Sequence, residues 1–122
     1  MLARTLLVGQ VVLDSNTRAK MALRARIVKA LAHPSRLLIL DELLRYDERC
    51  VCRLKELVGA DMSTVSRHLS VLRVAGIVAD EKRGQQVFYR VRSPGVRDLV
   101  CAMEQMVGAI AKEQMGFLMK TG

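Results

Sequence analysis

Asp61-Met62-Ser63-Thr64-Val65-Ser66-Arg67-His68-Leu69-Ser70-Val71-Leu72-Arg73-Val74-Ala75-Gly76 is the stretch whose reading decides the fold. Asp61 is a candidate N-cap and Gly76 a stop, so the spacing predicts a helix from Met62 to about Ala75. On a helical wheel Val65, Leu69 and Leu72 form a narrow apolar stripe, while Ser63, Ser66, Arg67, Ser70 and Arg73 gather opposite. A helix anchored by one thin stripe and presenting hydroxyls and guanidinium groups outward has the division of labour that major-groove reading needs.

The flanking segments extend that reading. Upstream, a short helix is expected near Cys52 to Val58, ended by Gly59. Before it, Pro34 opens a helix running to about Tyr46 with Leu37, Leu40, Leu43 and Leu44 inward. Earlier still, Thr17 to Leu31 reads as a helix with Leu23, Ile27 and Leu31 on one face. Downstream, two β-prone runs between Ile77 and Val91 enclose Lys82-Arg83-Gly84-Gln85-Gln86, a hairpin. From about Gly95 a long terminal helix carries Val96, Leu99, Met103, Met106, Ile110 and Phe117 at steps of three and four, with Glu113 the break. Such a stripe suits a dimer seam, its alternative being packing on its own domain. The expected architecture is mostly α with a small β-hairpin, a winged helix-turn-helix dimeric through terminal helices. Its parts are an N-terminal arm or over-called start (1–20), the DNA-binding domain (21–94) and the dimerisation helix (95–122).

Composition agrees. The 122 residues hold one domain, and hydrophobic residues at 51% with aromatics at only 3% favour helices packed through Leu, Val, Ala, Ile and Met. Twenty Lys and Arg against twelve Asp and Glu give a formal net charge of +8, a field that attracts polyanions. Double-stranded operator DNA is the expected partner, together with a second copy of the chain; no membrane or other protein partner is indicated. Residues 1–13 are interrupted by Gly9 and Gln10 and lack a small-residue cleavage site, so they do not read as a signal peptide. Three cysteines, Cys50, Cys52 and Cys101, make an odd count that fits free thiols in a reducing, cytoplasmic setting.

Candidate DNA contacts are Ser63, Thr64, Ser66, Arg67, His68 and Ser70 on the reading helix, and Lys82 and Arg83 at the hairpin, with Gln85 and Gln86 beside them. Leu31-Ala32-His33-Pro34-Ser35-Arg36-Leu37-Leu38-Ile39-Leu40, Cys50-Val51-Cys52, Ser63 to Leu72 and Ala75-Gly76-Ile77-Val78 together closely resemble the ArsR/SmtB family of metal-responsive repressors, over about residues 22–94. The resemblance implies a dimeric winged helix that represses an operator until an effector releases it, and it implies no enzymatic activity. A thiol enzyme would want an anion-binding loop around its cysteine or a CxxC on a βαβ unit, and neither pattern is present.

Cys50-Val51-Cys52 is the candidate effector site. Side chains two apart in a helix point about 200° away from each other. One soft ion held by both sulfurs therefore requires Cys50 to lie outside a regular helix, or the first turn to unwind; the expectation is that binding deforms the support of the reading helix. Arg49 and Arg53 flank the pair and favour thiolate, and soft thiolates select soft ions. By resemblance the motif fits arsenite and antimonite repressors as well as cadmium and lead repressors. The latter usually add N-terminal cysteines, and residues 1–49 contain none, which tilts the reading to trivalent arsenic or antimony as effector, with no permanent cofactor. The arsenical pattern often has a third cysteine where this chain has Lys55; Cys101 is the candidate third sulfur, although it lies nearly opposite the Leu99/Met103 stripe. An oxidant or reactive sulfur species acting on the same thiols is the nearby alternative. His33 and His68 read as structural or DNA-facing rather than as ligands.

Overall fold

The computed structural model describes residues 14–121. The elements run α1 (Ser15–Leu31), α2 (Pro34–Tyr46), β1 (Glu48–Cys50), α3 (Val51–Val58), α4 (Met62–Val74), β2 (Val78–Arg83), β3 (Gln86–Val91) and α5 (Gly95–Thr121). The helical starts and stops follow local chemistry. Asp14 caps α1 by accepting from the Thr17 amide at 2.7 Å, and His33 caps α2 through Nδ1, which accepts from the Ser35 amide at 3.0 Å. Asp61 caps α4, accepting from the Thr64 amide at 2.7 Å. At the other end of α4, Gly76 adopts φ 82°, its amide donates to the Arg73 carbonyl, and the Ile77 amide donates to the Leu72 carbonyl. That is a Schellman ending, which needs a left-handed residue at Gly76 and lets buried Ile77 fold back on the core. The reading helix is thus fixed at both ends by residues of its own segment.

Ile39, Leu40, Leu43, Leu54, Val65, Leu69, Leu72 and Val78 are the most deeply buried large side chains, so α2, α3, α4 and the base of the hairpin share one core. Each such burial is worth about 1.5–3 kcal/mol. The sequence reading of α2 named Leu37 and Leu44, which are only partly buried, and passed over Ile39, which has no exposed surface.

Two expectations shift. The boundary drawn at Met21 falls inside α1, which begins at Ser15; the rest of the expected arm, residues 1–13, lies outside the described residues. The hairpin also gains a third strand. β1 pairs antiparallel with β3 (Glu48 opposite Arg90, Arg49 opposite Tyr89, Cys50 opposite Phe88), giving the sheet order β1-β3-β2. Asp47, with φ 68°, turns the chain from the end of α2 into this strand.

The outer helices are incompletely covered. On α1 Leu31 is buried, but Leu23 is 58% and Ile27 38% exposed. On α5 Val96 and Val100 meet the core, and Met103 packs beside them. Beyond that turn Met106, Val107, Ile110, Met115, Phe117 and Leu118 are exposed. Among the described residues no helix is long and apolar enough to cross a membrane.

Candidate DNA-reading surface and thiol pair

Val65, Leu69 and Leu72 of α4 have no exposed surface, which turns Ser63, Ser66 and Arg67 outward and leaves Thr64 and Ser70 at the margin. α3 braces this helix from behind through fully buried Leu54. Apart from its Asp61 cap, the outer face is a row of hydroxyls with two guanidiniums, Arg67 at its middle and Arg73 near its end, the latter 3.7 Å from Asp80 of β2, on a chain of net positive charge.

His68 is the exception among the expected contacts. It is buried, with 7% of its surface exposed, and its ring lies 4.3 Å from that of His33. Its Nδ1 accepts a hydrogen bond from Arg36 Nε at 3.1 Å, and Arg36 Nη1 also donates to the Lys29 and Ala30 carbonyls at the end of α1. His68 therefore ties α4 to α2 and α1 instead of facing DNA, because the helical phase that buries Val65, Leu69 and Leu72 carries residue 68 inward as well. Burial first, then the charges of His33, Arg36 and Arg67, push its pKa below the ordinary histidine value. The unfolded chain thus takes up the proton first as pH falls. The stabilisation from neutral His68 is fully present above about pH 6.5 and is lost as pH drops through the lowered folded value. Thermal melts between pH 7.5 and 5.5 should show a smaller acid-induced fall in Tm for His68→Gln than for the wild type; equal falls would remove His68 from the acid response.

The wing also departs from expectation. Lys82 is exposed at the hairpin, but Arg83 is folded back. Its Nη1 and Nη2 donate to the two carboxylate oxygens of Glu48 at 2.6 and 2.9 Å, Nη2 also donates to Glu81 at 2.7 Å, and the guanidinium stands 4.7 Å over the Phe88 ring. Arg83 is held against the sheet instead of projecting toward nucleic acid. The pairing lowers the pKa of Glu48 and raises that of Arg83, each chiefly through their mutual hydrogen bonds.

Cys50 is at once the last residue of β1 and the N-cap of α3. Its backbone is extended (φ −72°, ψ 155°), and its Sγ accepts from the Arg53 amide at 3.4 Å. Cys52 lies in the first turn of α3, its Cα 5.3 Å from that of Cys50, and the two are joined as a disulfide, so that of the three cysteines expected as free thiols Cys101 alone is free among the described residues. Of the two routes by which the sulfurs could meet, the structure takes the first: Cys50 stands outside the helix, and α3 stays wound. Deformation of α3 is therefore not a condition for the pair to come together.

The flanking arginines are less free than the sequence suggests. Glu42 of α2, only 9% exposed, accepts from Arg49 Nε at 3.0 Å and from Arg53 Nε at 3.2 Å, while Arg49 stacks 3.7 Å over Tyr46 and Arg53 reaches Glu56 at 3.4 Å. One core carboxylate thus pins both sides of the thiol segment and offsets part of its positive field. Glu42 escaped the sequence reading; its only signal is that, of the two acids between Leu40 and Leu43, it is the one three residues after Ile39 and so on the buried helix face. Cys101 is exposed on α5, in an open groove with Leu38, Asp41, Arg97 and Glu104 that neither Cys50 nor Cys52 lines. The third sulfur is not brought to the pair within one chain. Among the described residues no group of three or more His, Cys, Asp or Glu is placed to hold a metal ion.

A three-helix core whose last helix is presented beside a β-wing is a winged helix-turn-helix, the fold that sets a helix into the major groove of DNA. The chain belongs to the ArsR family: the family described as bacterial regulatory protein, arsR family, matches residues 33–80. A transcriptional regulator of Mycobacterium tuberculosis, Rv0081, is 31% identical over 96 residues, covering 79% of this chain and 84% of its own. Its crystal structure superposes with a TM-score of 0.72, covering 79% of this chain and 96% of that one. The homodimeric winged helix-turn-helix domain Mb0332 of Mycobacterium bovis gives a TM-score of 0.69 at 31% identity, covering 82% and 91%. The arsenic resistance regulator ArsR1 of Pseudomonas putida is 39% identical over 77 residues, 63% of this chain and 59% of its own.

Proposed function

We propose that the chain is a homodimeric repressor that holds operator DNA through the outer face of α4 and releases it when trivalent arsenic or antimony bridges Cys50 and Cys52. The observation that carries the effector assignment is the place of Cys50 outside α3, in extended backbone, with its Cα 5.3 Å from that of Cys52. Once the disulfide is reduced, both thiols can therefore turn to one ion with α3 intact. Arsenous acid fits a two-sulfur site. It exchanges two hydroxyls for two thiolates, the thiol protons leaving with the hydroxyls as two waters, and keeps its third oxygen. Cadmium and lead need further soft ligands, and none is gathered here among the described residues. The similarity to an arsenic resistance regulator is consistent with this choice. Dimerisation is supported by the exposed apolar faces of α1 and α5 and by the homodimeric relative.

The disulfide favours one second reading, release by oxidation. A thiolate attacks a peroxide oxygen, the other thiol displaces hydroxide from the resulting sulfenic acid, and two thiols plus one peroxide become one disulfide plus two waters. Fluorescence anisotropy of labelled operator with the fully reduced protein separates the two. Arsenite at one equivalent per thiol pair should lower affinity more than a hundredfold. Release by peroxide with arsenite inert would replace the metalloid reading by the oxidative one, and release by neither would remove both.

A further inference from the structure

Because the sulfurs meet without unwinding α3, the route from the thiols to DNA need not run through that helix alone, and the sheet supplies another. Glu81, Phe88 and Cys50 lie directly opposite one another across β2, β3 and β1, so their side chains share one face, and Glu48 and Arg83 join that face by alternation. On it Arg83 is laid back from the hairpin tip. Its guanidinium covers Phe88, the residue opposite Cys50, and both its Nη atoms are taken by Glu48, two residues before Cys50 on the same strand. We propose that the Glu48–Arg83 pair positions the wing, so that a change at the thiols is passed along β1 to the hairpin and weakens the wing's hold on DNA.

The proposal rests on the thiol reading above and assigns a role to residues that reading leaves unused. β1 reaches β3 only at residues 88–90, so backbone pairing with β1 ends before the tip at Gly84 and Gln85. The side chain of Arg83 spans that gap. Both partners are partly exposed, and single exposed ion pairs contribute little; a bidentate guanidinium–carboxylate pair shared with a second carboxylate and an aromatic ring is the arrangement in which such a pair matters. While the pair is intact, Arg83 is also withheld from phosphate.

The test uses the reduced full-length protein, wild type, Glu48→Gln and Glu48→Asp, with arsenite as the probe. Arsenite uptake is counted by loss of titratable thiols, and operator Kd is measured with and without it. All three proteins should take up one arsenite per pair. The ratio of loaded to unloaded Kd should shrink about five-fold in Glu48→Gln and be largely retained in Glu48→Asp, which keeps the charge. In the unloaded protein Glu81 still holds Arg83 in Glu48→Gln. The salt dependence of operator binding should therefore steepen by about one phosphate contact per protomer in Glu48→Gln/Glu81→Gln, where the guanidinium is free of both carboxylates. An unchanged salt slope in the double variant together with an undiminished ratio in Glu48→Gln overturns the role of the pair. Undiminished release in Glu48→Gln with a steeper slope in the double variant overturns the coupling alone. Wild-type protein that takes up arsenite without losing operator affinity overturns the functional reading itself, and the coupling with it.

Discussion

Cys52→Ser binds operator as the wild type does and is no longer released by arsenite, so a loss of affinity of more than a hundredfold, about 3 kcal/mol of coupling, collapses to nothing. The expectation is sharp because the two cysteines are used differently. Cys52 is exposed in the first turn of α3, and serine there removes the sulfur while leaving buried Leu54 and the rest of the support untouched. Cys50 caps α3, accepting from the Arg53 amide. Serine is among the preferred N-cap residues, so Cys50→Ser keeps the cap and loses only the thiol chemistry. Both variants should therefore melt near the wild type while losing arsenite response in the anisotropy titration. Release that persists in both would place the effector elsewhere, with the exposed thiol of Cys101 the next group to replace.

What could be read from the sequence was what local periodicity and local capping decide. α4 was legible to within a residue because Asp61, the Val65/Leu69/Leu72 stripe and Gly76 all act within their own segment. β1 was not, since three residues without alternation become a strand only when β3 offers an edge. The same division runs through the site. The outward turn of Ser63, Ser66 and Arg67 follows from the wheel, and so does the inward turn of His68, but the partners that hold it there, Arg36 and His33, arrive from another helix. The capture of Arg83 depends on Glu48, 35 residues earlier. Long, flexible charged side chains are the least legible of all, because their partners are chosen by tertiary proximity and charge and not by spacing. The thiol pair falls between these cases. The two ways its sulfurs could meet were set by helix geometry, and the choice between them was made by β1, which holds Cys50 extended.

Arg67→Ala carries the second large effect, and it is one of discrimination. Arg67 stands exposed at the middle of the α4 outer face, between Ser63 and Ser70, with a charge that also helps lower the Asp61 pKa behind the hydrogen bonds from Thr64 and Ser63. A guanidinium there can take a guanine edge through two parallel hydrogen bonds, which is worth about 1–3 kcal/mol per half-site against the wrong base. Truncation should therefore lower operator affinity by about 5- to 150-fold per half-site, while affinity for unrelated duplex changes far less. Salt separates base reading from mere charge. Loss of a base contact leaves the slope of log K against log salt nearly unchanged, whereas loss of a phosphate contact flattens it by about one per protomer and weakens all sequences alike. Arg67→Lys sharpens the distinction, because an ammonium restores charge but not the planar two-donor fork. If the lysine variant recovers operator preference, or if alanine weakens specific and unrelated DNA equally, Arg67 is a phosphate anchor, and base reading passes to the hydroxyls beside it.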